Sequence, residues 1–162
     1  MVNKRCLFAK LFAFFLCLPL KASAQTHTVC AIGDSQVEPG AMLVSELQRQ
    51  LGPGYSVIAR GRRSWTTQQW IEAGDFGTVC GSSDIILISL GGNDRNHHVP
   101  LTTIDSNVTT LIAQLPTTAR LVYHMTIPRY YRPRLALTLD GVHLTLTGAR
   151  TYAAILVPHL RP

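Results

Sequence analysis

Four short polar clusters in this chain combine residue types suited to acyl chemistry: Gly33-Asp34-Ser35, Gly61 with its flanking arginines, Gly91-Gly92-Asn93-Asp94, and Asp140-Gly141-Val142-His143. A serine hydroxyl is a poor nucleophile until a base removes its proton, and a histidine titrating near neutrality suits that task. Asp140 stands three residues before His143 across a glycine-containing turn. From there its carboxylate could accept the Nδ1 proton, fix the tautomer and stabilise the imidazolium. A tetrahedral intermediate also needs donors at its oxyanion. The backbone N–H groups of Ser35 and Gly61, with the side-chain amide of Asn93, could supply them. Each cluster has a plainer reading taken singly: Ser35 as a helix cap, Gly-Gly-Asn-Asp as turn chemistry, His143 as a cap or a solvated side chain. The combination is what points to a nucleophilic serine.

The intervening elements must bring these clusters together. "HTVCAIG" reads as a short buried strand, followed by a helix from about Gly40 to Leu51 that stops at Gly52-Pro53-Gly54. "YSVIAR" is a second strand ending at Gly61, and "SWTTQQWIEAG" a short helix with Ser64 or Thr66 as its cap. "DIILISLGG" is a continuous apolar run of the kind found in the middle of a parallel sheet. A helix from roughly Leu101 to Leu115 follows, then a fourth strand, "ARLVYHMTIP", and a final helix within "LTLTGARTYAAILVPHL". The βαβαβαβα order predicts a three-layer α/β/α sandwich around a mostly parallel sheet of about four to five strands, with right-handed crossovers. In such open sheets chemistry gathers beyond the carboxyl ends of the strands, where these clusters fall.

At this point the chain resembles a known family. "GDS", a glycine after the second strand, "GGND" after the third and "DGVH" near the C-terminus are similar to the four blocks of the SGNH (GDSL-type) hydrolases, in order from Gly33 to His143. The glycine block is the loosest, since "ARGRRSW" fits only around Gly61. The resemblance implies the flavodoxin-like fold of that family, with Ser35 as nucleophile, His143 as base and Asp140 orienting it. It implies an oxyanion hole from Ser35, Gly61 and Asn93, and neither metal nor organic cofactor. It gives Asp34 a structural part in the first block, and Asp94 a part in the turn that aims Asn93. The chain departs from the family between the fourth strand and Asp140, where only about a dozen residues, "RYYRPRLALTLD", stand in place of further elements and substrate loops. A trimmed, open, shallow cleft is expected, which disfavours a deep acyl tunnel.

The N-terminus has the layout of a Sec signal peptide over residues 1–24: basic Lys4 and Arg5, an apolar stretch from Leu11 to Leu20, and small residues Ala22-Ser23-Ala24. The apolar stretch, bounded by Lys10 and Lys21, is shorter than the ~20 residues a membrane span needs, so no stable span is expected once the signal is cleaved. An uncleaved anchor is the alternative. Residues 25–162 then form one hydrolase-like domain. Of the fifteen basic residues, four fall in the leader, leaving eleven arginines against nine acidic residues, a net charge of +2 with no lysine. That balance, without aromatic-interleaved basic runs or a nucleic-acid-binding motif, does not argue for nucleic acid. Cys30 and Cys80 remain, and an oxidising compartment permits a bridge. The register counts against it: Cys30 lies inside the first strand and Cys80 several residues before the third. Their sulfurs stay apart unless the loop doubles back.

Arg60, Arg62 and Arg63 follow the second strand, and Arg129, Arg132 and Arg134 the fourth. Arg62 and Arg129 are read as contacts for a substrate carboxylate or phosphate, the others as a solvated rim. Trp65, Tyr130 and Tyr131 fit a sugar-stacking or a core-covering role, the second being more frequent. His97 and His98 are adjacent but lack further ligands at metal spacing and are read as loop residues. The expected activity is an exported serine esterase acting on small acyl groups, acetyl foremost, carried by an envelope or extracellular carbohydrate. Two alternatives stay open: a lysophospholipase or thioesterase, which needs an apolar groove, and a catalytically silent envelope-binding module on the same scaffold.

Overall fold

The computed structural model describes residues 26–126 and 143–161. Residues 1–24, read above as a signal peptide, lie outside the described residues, as do Asp140, Arg129, Arg132, Arg134, Tyr130 and Tyr131. Four strands, β1 (His27–Gly33), β2 (Tyr55–Gly61), β3 (Ile85–Leu90) and β4 (Arg120–Met125), form a parallel sheet in the order β2-β1-β3-β4. Five helices accompany them: α1 (Met42–Leu51), α2 (Thr67–Ala73), α3 (Gly92–Asn96), α4 (Leu101–Ile112) and α5 (Leu146–Leu160).

Alternation along the central strands builds two cores. Val29 and Ala31 of β1, with Ile85 and Leu87 of β3, pack against Leu43 and Leu47 of α1 and Ala149, Ala153 and Leu160 of α5. Cys30 and Ile32, with Ile86 and Ile88, pack on the opposite face against Trp70, Phe76 and Leu111. Side chains two apart in a strand share a face, so β1 from Val29 to Ile32 and β3 from Ile85 to Ile88 are apolar at consecutive positions and serve both layers. β3 is buried throughout. The two faces make the expected three-layer sandwich.

The helices depart from their sequence limits only at the ends. α2 starts with a full capping box: Thr66 Oγ1 accepts from Gln69 N while the Gln69 side chain accepts from Thr66 N. Thr66, not Ser64, is therefore the cap, and Ser64 sits at a left-handed φ of 62° in the preceding turn. The Gly-Gly-Asn-Asp cluster is not only a turn. Gly91, at a φ of 100°, opens the one-turn helix α3.

The expectation against a disulfide is overturned, because Cys30 and Cys80 are bonded with Cα atoms 5.6 Å apart. Cys30 pairs in register with Ile86, close to the start of β3, so the distance along the sheet is short. The chain after α2 also turns back over this face. Phe76 and Cys80 join the same core as Cys30, through turns closed by Thr78 N to Asp75 O (3.0 Å) and Gly81 N to Thr78 O (3.0 Å).

Candidate active site

The parallel register aligns the carboxyl ends of the strands. Gly33 lies level with Gly61 on one side and Ser89 on the other. At that rim β1 runs into a single 3-10 turn, Ser35–Val37. Asp34 caps it, its Oδ1 accepting from Gln36 N at 2.9 Å, while its own N–H donates to Ser89 O at 3.1 Å. Ser35 is thus the first residue of a rigid turn at a strand end and is largely buried.

Gly61 packs directly on this turn. A Cβ there would overlap Asp34 O, Val37 C and Glu38 N, so the end of β2 can approach the serine turn only as glycine. Asn93 comes from α3, its Nδ2 donating to Trp65 O at 3.0 Å. That bond uses one of its two amide hydrogens and ties the amide to the loop after β2. The neighbouring Asp94 is almost fully buried and anchors α3 to the start of α2. Its carboxylate accepts from Thr67 N at 3.1 Å and from Thr67 Oγ1 at 2.5 Å, at a helix N-terminus where a negative charge is favoured.

His143 lies two residues before Thr145, the cap of α5, whose Oγ1 accepts from Gly148 N at 3.0 Å. Packing of α5 against α1 and the sheet holds that helix start against the rim. Ser35 and His143 line one cavity of about 340 Å³ with Gln36, Glu38, Arg63, Met42, Leu43 and Leu144. The residues foreseen nearest the two ends of the folded chain are therefore brought to the same cleft. Ser35, Gly61 and Asn93 converge on the rim from three strand ends, whereas Asp140 and Arg129 lie outside the described residues.

Arg62 does not take the place foreseen for it. Its Nη1 donates to Asp75 Oδ1 at 3.2 Å and its Nη2 to Oδ2. Its guanidinium lies 4.3 Å from the ring centroids of both Trp65 and Trp70. The side chain is thus committed to the α2 layer, where Trp70 in turn donates to Gly33 O at 3.2 Å. Trp65 packs edge-on against Trp70, ring centroids 5.1 Å apart, and serves the core edge. Among the described residues, the arginine that lines the cleft is Arg63, assigned to the rim by sequence. Its Nη2 donates to Glu38 Oε1 at 2.6 Å, and the pair holds the Glu38 carboxyl below its ordinary range. Arg62 and Arg63 are adjacent, and only the sites of Asp75 and Glu38 separate their roles.

Asp34 has an unusual electrostatic position. Burial pushes its carboxyl up to about 6, against the lowering effect of the Gln36 N–H, the Thr126 hydroxyl and nearby His143, while Asp94 adds to the rise. Between pH 4 and 6, approximately, the folded chain therefore holds a proton that the unfolded chain releases. Stability from this group is present below about pH 4 and lost as pH climbs to about 6, a span of roughly 2–3 kcal/mol. Urea unfolding across that range should show the decline in the parent relative to Asp34→Asn. Parallel curves for the two proteins would refute it.

The fold is that of the SGNH, or GDSL-type, hydrolases. A lipase/acylhydrolase from Enterococcus faecalis superposes with a TM-score of 0.67 at 16% identity, over 83% of this chain and 95% of the other. A carbohydrate acetylesterase family member from Sinorhizobium meliloti gives 0.63 at 18% identity, over 84% and 98%. An inhibitor-bound aryl esterase from M. smegmatis gives 0.63 at 15% identity, over 84% and 99%. No sequence-family model and no curated protein sequence matches the chain.

Proposed function

We propose that this protein is a serine esterase, exported from the cytoplasm, that hydrolyses small acyl esters, acetyl foremost, on an envelope or extracellular carbohydrate. The observation that carries the reading is the shared cleft of Ser35 and His143 at the carboxyl end of the sheet. In this reading His143 takes the Ser35 Oγ proton as the oxygen attacks the ester carbonyl. The proton then passes to the departing alkoxide, and water repeats the sequence on the acyl-enzyme with His143 as base. Asp140 orients the imidazole. The Ser35 and Gly61 amides and the second amide hydrogen of Asn93 receive the oxyanion, where preorganised donors contribute most.

Solved structures of this fold include a carbohydrate acetylesterase family member, which supports an acetyl group on a carbohydrate. The Cys30–Cys80 bridge supports an oxidising compartment, in keeping with the leader-like N-terminus. Among the described residues, no helix is long and apolar enough to cross a membrane.

The substrate class is tested by comparing kcat/KM on acetyl and octanoyl aryl esters. An advantage for acetyl of about tenfold or more is expected, the scale set by a few methylenes that find no pocket. A preference for octanoyl would instead support an enzyme of lipid esters, using the apolar wall of Met42, Leu43 and Leu144.

A further inference from the structure

At the end of β4 a single hydroxyl joins the two turns that carry the nucleophile and the oxyanion amide. Thr126 Oγ1 donates to Asp34 Oδ2 at 2.8 Å and accepts from Gly92 N at 2.7 Å. Thr126 and Asp34 are both almost fully buried. The directions are forced once Asp34 is ionised, above about pH 6. A backbone N–H can only donate and an ionised carboxylate can only accept, so a group between them must do both. A hydroxyl is the smallest side-chain group that does. The fit is also tight, since a Cβ on Gly92 would overlap Thr126 Oγ1. The backbone of Thr126 is fixed in turn by its N–H donating to Leu90 O at 3.1 Å.

Each end of this link is one residue from a group used in the proposed chemistry. Asp34 caps the turn that begins with Ser35, and Gly92 is followed by Asn93. The strands beneath them, β1 and β3, are paired only as far as Gly33–Ser89. Beyond that register the two turns are held to each other by Asp34 N to Ser89 O and by the Thr126 bridge.

We propose that Thr126 is a positioning residue that sets the distance between the Ser35 hydroxyl and the Asn93 amide; this rests on the esterase reading above. Thr126→Val keeps the shape and removes the hydroxyl, leaving the buried Gly92 N–H without its acceptor and Asp34 without one donor. Thr126→Ser keeps both bonds, and Thr126→Ala removes them without adding bulk, should the valine variant not fold. With an acetyl aryl ester as probe, kcat of the valine or alanine variant falls about 10- to 100-fold, as for a small displacement of reacting groups. KM stays within about twofold, because the loss is in transition-state rather than ground-state binding.

Thr126→Ser should restore kcat to within about threefold of the parent. A residue that only stabilised the fold would lower the melting temperature and leave kcat of the folded enzyme unchanged. Unchanged kcat in the valine or alanine variant overturns the proposal, and so does a serine variant as impaired as they are. A parent protein that neither hydrolyses the ester nor reacts with a fluorophosphonate overturns the esterase reading itself, and this proposal with it. An active parent with an unaffected Thr126→Val overturns the positioning role alone.

Discussion

Ser35→Ala is expected to lower kcat by at least about 10⁴-fold, the scale seen when a catalytic serine is removed. The melting temperature should move by no more than about 2 °C, because losing an oxygen from a small side chain disturbs little packing. The expectation follows from where Ser35 sits. The turn is held by bonds that involve other groups: Asp34 Oδ1 with Gln36 N, Asp34 N with Ser89 O, and Val37 N with Asp34 O at 3.2 Å. Alanine keeps the backbone of a residue that lines the cleft with His143 and loses only the oxygen. Labelling with a fluorophosphonate and mapping the modified peptide gives the complementary result: modification at Ser35 in the parent and none in the variant. Full activity in Ser35→Ala, or a label on another residue, would refute the nucleophile assignment. Failure of the intact parent to label would revive the silent binding module.

Removing the disulfide should have the largest effect on stability. Cys30 and Cys80 are 50 residues apart, and closing a loop of that length restricts the unfolded chain by about 4 kcal/mol in the chain-entropy model. Domains of this size are stable by only about 5–15 kcal/mol, so the bridge is a large share of the total. The Cys30→Ala, Cys80→Ala double variant should unfold at a markedly lower urea concentration than the oxidised parent. Both sulfurs lie in the core beneath α2 and α4, so in the alanine variant lost packing adds to the entropic term. The parent unfolded in reductant, which keeps both sulfur atoms, should shift in the same direction by the entropic part alone. Coincident curves for oxidised and reduced protein would show that the bridge contributes nothing, and alkylation of Cys30 and Cys80 in the native protein would show that it does not form.

Much of the architecture was legible in the sequence for a simple reason. A parallel strand covered on both faces must be apolar at consecutive positions, and "IILISL" in β3 has that pattern. Gly52 stops α1 by local backbone preference, whereas α4 ends at Ile112, short of Pro116, and Thr66 with Gln69 starts α2. Such signals lie within a few residues of the structure they dictate. The placement of the candidate residues was legible to the same extent: Ser35 and Asn93 follow strands and Gly61 ends one, and a parallel sheet delivers its carboxyl ends to one rim. Thr126 obeys that rule too, and a hydroxyl at the end of the fourth strand was the one available signal for it.

What sequence could not assign was decided by partners distant along the chain. Arg62 and Arg63 are chemically identical neighbours, yet one is drawn under the indoles of Trp65 and Trp70 to Asp75, and the other stands over the cleft with Glu38. The Cys30–Cys80 bond depends on how the chain from Phe76 to Cys80 folds back over β1, and no local preference encodes that path. The role of Thr126 needs two acceptor and donor groups, 92 residues away at Asp34 and 34 away at Gly92. The sequence by itself determined the elements and which of their ends carry chemistry, because backbone preference and apolar periodicity act locally. Only the tertiary structure decided which side chains meet, because an ion pair, a disulfide or a buried hydrogen bond is a property of two groups in space.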